Sequence, residues 1–154
     1  MADIGLFWDD LNQRGDIAIA NGDIVMDETL GTSVLLSLAC DRVANADDDL
    51  PAGADPRGWW GDSSPDGVTT PPPMGARFWL LRRQSLTTQT RRQAEVMARQ
   101  ALQWLIDNGI ATDIAVTSAL VGQNLGLGVQ ISRNGPNGRG SSIYAAKWSA
   151  TLAS

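Results

Sequence analysis

The 154-residue sequence contains no histidine and a single cysteine, Cys40. Without histidine the chain cannot form Ser-His-Asp or Cys-His catalytic arrangements, HExxH zinc sites or the usual general base near neutral pH. One cysteine excludes an internal disulfide and any multi-cysteine metal site. Charged residues are also scarce, at 19%, where about 25% is typical. These absences remove many enzyme classes before any motif is considered.

Leader features and long apolar runs are missing as well. The first ten residues, MADIGLFWDD, have neither the basic segment nor the apolar core of a signal peptide. No apolar run approaches the ~18 residues of a membrane-spanning helix. With 43% hydrophobic residues, we expect one globular domain over residues 1–154, made in a reducing cytoplasm.

Charge is distributed unevenly along the chain. Residues 1–76 carry 14 Asp and Glu against 3 Arg, a net charge of −11, whereas residues 77–154 carry 3 acidic and 9 basic residues, a net charge of +6. This asymmetry predicts either that the two halves face each other or that each faces a neighbour of opposite sign.

Local patterns in the first half predict a β-hairpin followed by a helix. Short alternating runs flank Asn21-Gly22 and predict a hairpin over residues 16–26, because a type I′ turn needs positive φ at both central positions. Asp27-Glu28-Thr29 supplies cap candidates and early acidic residues for an amphipathic helix that is predicted to end near residue 43.

The second half predicts a longer helix and then strands. A 3.6-residue apolar period predicts a helix over residues 88–108, with Thr87 or Thr88 as its cap and Gly109 as its left-handed stop. Three strand-like runs follow, and Gly-Pro-Asn-Gly at 135–138 joins the last two in a C-terminal antiparallel β-meander. The runs cover residues 114–120, 125–132 and 141–152. The pattern as a whole predicts an α+β fold.

Residues at about 45–76 are of a different kind. Proline and glycine are so frequent there that no regular element is expected, and so long an irregular stretch is usually functional or ordered by a partner. It contains Trp59-Trp60, and tryptophan contributes strongly to protein interfaces. We therefore predict an extended arm that is mobile in the isolated protein and ordered by a neighbour.

The carboxylates of the sequence suggest no enzyme or metal site. The acidic run at 47–49 lacks the alternating ligands of a calcium loop and is predicted to be solvated. Asp9 with Asp10, or Asp62 with Asp66, could form a glycosidase pair, but their separation cannot be deduced from sequence. We predict no catalytic, cofactor-binding or metal-binding residues.

Aromatic and basic residues provide the interface candidates. Trp79 and Trp104 lie in apolar runs and are predicted to be core residues. A cluster of arginines with little lysine favours a protein interface over nucleic acid, because the planar guanidinium pairs well with carboxylates. Its members are Arg77, Arg82, Arg83, Arg91, Arg92 and Arg99.

Four segments carry a family resemblance. They are residues 27–38 with Asp41-Arg42, RGWWGD at 57–62, GARFWLLRR at 75–83 and ALQWL at 101–105. In this order they resemble the Mu-type phage baseplate protein family, whose members are similar to the sheath-initiator (inner wedge) protein of contractile tails. The resemblance covers about residues 3–150, and the paired GWWGD and GxRxWLLxR blocks are its most specific part.

The resemblance implies a structural role in the virion, in the tail baseplate of a phage or a related injection particle, assembled in the host cytoplasm. It implies copies in a six-fold ring around the tail tube, contacts with wedge, tube or hub proteins, and terminal strands that share β-strands with the first ring of sheath subunits. The wider initiator family has a Glu-Pro-Arg motif after its main helix, where this chain has Asp107-Asn108-Gly109-Ile110. If that motif binds the wedge core in the wider family, this chain must bind the wedge core through other residues, with Arg77 and the Trp59-Trp60 arm as candidates.

Two other functions stay open at this point, a carbohydrate-binding module that uses exposed tryptophan and a cell-wall hydrolase. For the latter, no acid in pKa-raising surroundings is evident. An unpaired edge of the last strand would suit strand addition by a sheath subunit, whereas no cofactor, nucleic acid or membrane is predicted as a partner. The interface candidates are Trp59, Trp60, Asp62, Arg77, Arg82, Arg83, Ile143, Tyr144 and Trp148.

Overall fold

The computed structural model describes residues 3–9, 11–12, 14–27, 29–62, 73–121, 124–135, 138–144 and 150–151. The helices are α1 (Gly31–Ala39) and α2 (Thr88–Asp107), with short 3₁₀ helices at Trp60–Asp62 and Phe78–Arg83. The strands are β1 (Asp3–Ile4), β2 (Leu6–Asp9), β3 (Arg14–Ile17), β4 (Ile19–Ala20), β5 (Asp23–Ile24), β6 (Met26–Asp27), β7 (Asp113–Val121), β8 (Asn124–Gly135), β9 (Gly138–Tyr144) and β10 (Ala150–Thr151). The predicted α+β class is confirmed. Within the described ranges, no helix is long and apolar enough to cross a membrane.

The N-terminal strands meet at a three-way junction. β2 pairs with β3, β4 with β5 and β1 with β6, all antiparallel. At the meeting point Gly5 N–H donates to Val25 O, Ala18 N–H to Gly5 O and Val25 N–H to Ala18 O, at 2.7, 2.8 and 2.9 Å. A Cβ at residue 5 would lie 2.8 Å from the Val25 carbonyl oxygen. Glycine is therefore needed where the three strands converge.

The predicted hairpin is confirmed at its turn, Asn21-Gly22, with φ values of 54° and 81°. It is shorter than the predicted range 16–26, because residues 16–17 pair with β2 and Met26 pairs with β1. Ile19 faces Ile24 across it. The sequence patterns did not predict β2, the partner of β3, because its four residues are too few to show a period.

The N-cap residue of α1 is Leu30, which makes no side-chain cap bond, but Asp27 and Thr29 accept from the first N–H groups of the helix in its place. Asp27 Oδ2 accepts from Thr32 N–H at 2.7 Å, and Thr29 Oγ1 accepts from Gly31 N–H at 3.0 Å. These bonds satisfy N–H groups that have no partner inside the helix.

The predicted end of this helix near residue 43 is wrong. α1 ends at Ala39, after which the backbone becomes extended at Cys40. Ala76 N–H donates to Cys40 O at 2.9 Å and Arg42 N–H donates to Ala76 O at 3.0 Å. A parallel bridge to a distant segment therefore takes the backbone groups that a longer helix would have used.

The cap formed by Asp27 gives a pH-dependent contribution to stability. Hydrogen bonds, first from the Thr29 hydroxyl and then from Thr32 N–H, lower the pKa of Asp27 to about 2. Because this pKa is below the unfolded value, the stabilisation is complete above about pH 4 and is lost as the pH falls towards 2. We expect Asp27→Ala to lower the free energy of unfolding by about 1 kcal/mol at pH 7 and by progressively less below pH 4. Urea unfolding at several pH values measures the difference in free energy of unfolding between the parent and Asp27→Ala, and a difference that does not vary with pH would contradict the prediction. Asp23→Ala is a control, since the Asp23 carboxylate accepts from the N–H of its own neighbour Ile24 and caps no helix.

α2 begins and ends as predicted. Thr87 Oγ1 accepts from Thr90 N–H at 3.2 Å. At the other end Gly109 has φ of 68°, and Ile110 N–H donates to Leu105 O at 2.8 Å. This is the left-handed stop with a closing 6→1 hydrogen bond.

β8 is the central strand of the C-terminal sheet. β7 pairs with one side of it, whereas β9 and β10 pair with the other side, all antiparallel. Gly135 faces Gly138, so the predicted turn at 135–138 is confirmed as a two-residue connection. The predicted strand 141–152 differs in extent, because β9 begins at Gly138 and β10 forms a separate short strand.

The core lies where α2 packs against the sheet and α1. The predicted apolar face of α2 is buried, except that Met97 is half-buried. Trp8 also packs against this core, a contact that the sequence patterns did not predict. The main buried side chains are Val34, Leu38, Phe78, Leu81, Ala94, Ala98, Ala101, Leu102, Leu105, Ile114, Val116, Leu125, Leu127, Val129 and Ile131.

The described parts of the arm, residues 45–62 and 73–76, have no strand and only the 3₁₀ helix Trp60–Asp62, apart from the bridge at Ala76. The arm is held at both ends. Ala44 N–H donates to Pro56 O at 2.9 Å, and Asp62 Oδ1 accepts from Met74 N–H at 2.9 Å. The irregular conformation is thus as predicted, whereas mobility in the isolated protein stays a prediction.

Candidate functional site

The two tryptophans of the arm differ in exposure. Trp60 is 82% exposed and Trp59 is 36% exposed. Their ring centroids are 5.2 Å apart with an angle of 48° between the rings, so they do not form a flat platform for stacking. The Trp59 ring occupies the space that a Cβ at Gly61 would need. Trp60 is therefore the more exposed aromatic side chain of the arm, and Trp59 is held by its own chain.

Arg77 is engaged within the chain. Its Nη1 donates to both carboxylate oxygens of Asp48, at 2.8 and 2.6 Å, and its Nη2 donates to Gln100 Oε1 at 2.8 Å. The two charged side chains are 11% and 16% exposed. This largely desolvated pair fastens the arm to α2, and losing one partner would leave a poorly solvated charge. The prediction of a solvated acidic run is therefore wrong for Asp48, although residues 47 and 49 are exposed.

A second set of contacts joins the arm to the 3₁₀ helix Phe78–Arg83. Arg57 forms an ion pair with Asp41, and its guanidinium carbon lies 4.9 Å from the centroid of the Trp79 ring. The indole N–H of Trp79 donates to Arg42 O at 2.9 Å. The RGWWGD and GARFWLLRR segments thus hold each other in place, which gives a physical reason for their joint occurrence.

The predicted core tryptophans are both half-buried. Trp104 packs against the core, and its indole N–H donates to Ser37 Oγ at 3.0 Å. Trp79 lies against Arg57, as described above.

A groove of about 810 Å³ lies between α1, α2 and residues 73–77. Its apolar lining includes Leu36, Met74, Val96 and Trp104, and its arginines are Arg42, Arg77 and Arg99. Arg77 is neutralised by Asp48, whereas Arg42 and Arg99 have no carboxylate partner among the described residues. Asp107 also lines the groove. The groove therefore combines apolar surface with two unpaired arginines and one carboxylate.

One edge of the C-terminal sheet is closed by side chains of α2. Glu95 Oε1 accepts from Ser118 N–H at 3.0 Å and from Ser118 Oγ at 2.7 Å. Arg91 Nη2 donates to Ser118 O at 2.9 Å. We call Arg91 and Glu95 the clamp, because together they occupy both backbone groups of Ser118 in the middle of β7. Occupied edge groups cannot pair with an added strand.

The clamp also fixes the direction of the backbone groups across the sheet. Because Ser118 N–H points away from β8, and inward and outward groups alternate along an antiparallel pair, Gly128 and Gln130 direct their N–H groups to β7. Their odd-numbered neighbours on β8 then face β9. With Ser142 opposite Ile131, Ser142 N–H points to β8 and Ser141 N–H points outward.

The clamp gives a prediction at a single amide. We expect Glu95→Ala to increase the hydrogen-exchange rate of Ser118 N–H at least about tenfold and to lower the free energy of unfolding by about 1 kcal/mol. Glu95→Gln is the matched control, because its amide oxygen can still accept this hydrogen bond. NMR-detected exchange measures both, and unchanged protection of Ser118 in the alanine variant would contradict the clamp.

The predicted interface residues differ in whether their side chains make contacts within the chain. Asp62 and Arg77 make contacts within the chain, whereas Trp60, Arg82 and Arg83 are exposed, and neither arginine has a carboxylate partner among the described residues. Ile143 and Tyr144 lie on β9, of which only the backbone is described, and Trp148 lies outside the described residues.

Sequence reasoning missed the groove, the Asp48 ion pair and the clamp. Arg91 and Glu95 are four residues apart on the predicted helix, and this spacing was the available signal, since it puts both side chains on one face.

The comparison with known proteins agrees with the motifs. Residues 30–139 match the family described as phage protein GP46. The chain is 43% identical over 117 residues to "Baseplate protein gp46" of Escherichia phage Mu, covering 75% of this chain and 76% of that protein. It is 32% identical over 119 residues to "Mu-like prophage FluMu protein gp46" of Haemophilus influenzae, covering 77% of each.

Fold and site together define a small α+β protein whose candidate sites are interaction surfaces: an exposed tryptophan, an arginine-lined groove and a sheet with one clamped edge. The chain belongs to the phage protein GP46 family. This confirms the Mu-type baseplate family predicted from its motifs.

Proposed function

We propose that this chain is a structural component of a phage tail baseplate. The observation that carries the proposal is its 43% identity, over three quarters of both chains, to a protein named as a baseplate protein of phage Mu. The chemistry of its surfaces supports an assembly role, because an exposed tryptophan and unpaired arginines are typical of protein interfaces.

The finer part of the proposal is that the chain initiates the sheath of a contractile tail. In this role, copies form a six-fold ring around the tail tube, and the C-terminal sheet accepts a strand from the first ring of sheath subunits. A comparison of the two outer edges of that sheet, formed by β7 and β9, favours β9 as the strand that accepts the added strand. The β7 edge is occupied at Ser118 by the clamp, whereas the outer edge of β9 has no strand partner among the described residues.

Attachment to the wedge and to tube or hub proteins is the second part of the role. Because Arg77 is already paired with Asp48, we assign the dock to Trp60 and to Arg82 and Arg83 at the end of their 3₁₀ helix. These side chains are exposed and can form a bidentate or stacked contact with a partner. In this proposal they serve in place of the Glu-Pro-Arg motif that is absent after α2.

The chain acts without catalysis in this proposal. Burial, with the charges of Asp41 and Asp62, raises the pKa of the Cys40 thiol, which opposes formation of a nucleophilic thiolate. Hydrogen bonds from Asn12 lower the pKa of Asp9, the opposite of what a general acid requires. The other members of the suggested carboxylate pairs, Asp10 and Asp66, lie outside the described residues.

Gold-labelled antibody against the chain tests the baseplate role directly. On purified particles from the genome that encodes the chain, we expect label at the tail end that carries the baseplate. We expect particles made without the chain to lack assembled, sheathed tails, and the intact gene supplied in trans to restore them. Label over the head, or normal tails without the chain, would overturn the proposal.

Two assays on the pure protein separate assembly from the alternatives. We expect no decrease in the turbidity of cell-wall suspensions and no retention on immobilised glycans. Cell-wall hydrolysis that is lost on changing a single Asp or Glu would instead identify a hydrolase. Glycan retention that is lost in Trp60→Ala would identify a carbohydrate-binding module.

A further inference from the structure

Exposed apolar surface is concentrated in the N-terminal strands. Eight of the thirteen large hydrophobic side chains that are exposed among the described residues lie between residues 4 and 26. Single exposed apolar residues are normal, but a concentration of this kind marks an interaction surface. The eight are Ile4, Phe7, Leu11, Ile17, Ile19, Ile24, Val25 and Met26.

The β4–β5 hairpin combines this apolar surface with negative charge. Ile19 and Ile24, which are 70% and 46% exposed, face each other directly across the two strands. Asp23 lies beside them, and its carboxylate accepts from Ile24 N–H at 2.8 Å. Asp23 has no cationic partner among the described residues. The hairpin therefore presents an apolar pair next to an unneutralised carboxylate.

The groove between α1 and α2 presents the complementary chemistry. Val96 on its wall is 49% exposed, and Leu36 and Trp104 add further apolar surface. Arg99 lies three residues after Val96, close to it on the helix surface, and is exposed and without a carboxylate partner among the described residues. An apolar segment that carries a carboxylate fits such a groove.

We infer that the β4–β5 hairpin of one copy docks into the α1–α2 groove of a second copy. Ile19 and Ile24 cover the apolar wall, and Asp23 pairs with Arg99. A second copy is the favoured occupant because the same chain carries both complementary surfaces, an unneutralised Asp23 on the hairpin and an unpaired Arg99 on the groove.

This contact joins two different surfaces, so it is heterologous. Such contacts generate a ring when the rotation between copies closes, and a filament when it does not. The inference deepens the proposed function, on which its ring geometry rests, because it identifies which surfaces would join adjacent copies around the tube.

Disulfide trapping between two populations of the full chain tests the contact. Both populations carry Cys40→Ser, one carries Ile24→Cys, and the other carries Val96→Cys. We expect oxidation of the mixture to give a 24–96 cross-linked dimer. The matched control replaces Val96→Cys by Leu120→Cys. Leu120 is apolar, lies outside the groove and is 51% exposed, compared with 49% for Val96. We expect its yield to be at least about tenfold lower.

Charge reversal tests the ion pair within the same experiment. Asp23→Arg in the first population, or Arg99→Asp in the second, should each reduce the 24–96 cross-link about tenfold. The two reversals together should restore it. Absence of the cross-link, equal yields at 96 and 120, or failure of the double reversal to restore the yield would overturn the contact. Labelling of particles tests the baseplate role separately, so failure of one is distinguishable from failure of the other.

Discussion

Replacing Gly75 by alanine is expected to lower the free energy of unfolding by about 3 kcal/mol. Gly75 has φ of +101°, in a region that side-chain-bearing residues rarely adopt. A Cβ there would overlap the carbonyl group of Cys40 and approach the N–H of Arg42. These are backbone atoms of the parallel bridge to Ala76, so relief requires separation of the bridge rather than rotation of a side chain.

Gly53→Ala is the matched control for this effect. Gly53 also has positive φ, +76°, but no atom lies within 4 Å of the added Cβ. Its substitution should therefore cost only the conformational strain, about 1 kcal/mol. Urea unfolding of both variants measures the difference. Equal losses at the two positions would show that the close approach of the two backbones at Gly75 contributes nothing.

Gly75 also shows where prediction from the sequence reaches its limit. The residue was part of the GARFWLLRR segment that identified the family, yet its role depends on a backbone 35 residues earlier in the chain. By contrast, Asn21-Gly22, Thr87 and Gly109 were predicted correctly, because turns, caps and stops depend on residues within a few positions.

The same distinction explains the error at the end of α1. The helix stops at Ala39: Cys40 N–H still donates to Leu36 O, but the Cys40 carbonyl accepts from Ala76 N–H and Arg42 N–H donates to Ala76 O. No residue near position 40 encodes this stop, and the apolar pattern alone favoured a longer helix. Long-range backbone pairing had overridden the local propensity.

Charged residues were the least predictable part of the candidate site. Asp48 belonged to a run that composition favours as solvated, but it pairs with Arg77, 29 residues later. Arg91 was interpreted as part of a basic interface, but it contacts Ser118, 27 residues later. Charge type and spacing favoured solvent for Asp48 and a partner protein for Arg91, whereas their partners within the chain depend on tertiary packing.

A proline introduced at the outer edge of β9 has the largest expected effect on function. Ala145 and Ala146, further along the predicted strand 141–152, lie outside the described residues. The described backbone offers a better-defined pair, Ser141 and Ser142, because the clamp at Ser118 establishes which N–H groups point outward. Proline cannot donate a hydrogen bond and is tolerated in a sheet only where its missing N–H faces away from the ladder.

We expect Ser141→Pro to fold normally, since it removes only an outward N–H group, and to support at least about tenfold fewer sheathed tails than the parent chain. The physical reason is that its ring occupies the edge where a sheath strand would pair. Ser142→Pro is the matched control: it removes the donor that faces Ile131 and should destabilise the β8–β9 pair itself. Thermal unfolding of the pure variants and electron microscopy of complemented particles distinguish the two effects. If Ser141→Pro folds, enters particles and still initiates sheaths of normal number, the β9 edge is not the acceptor, and the sheath must contact another surface of the chain.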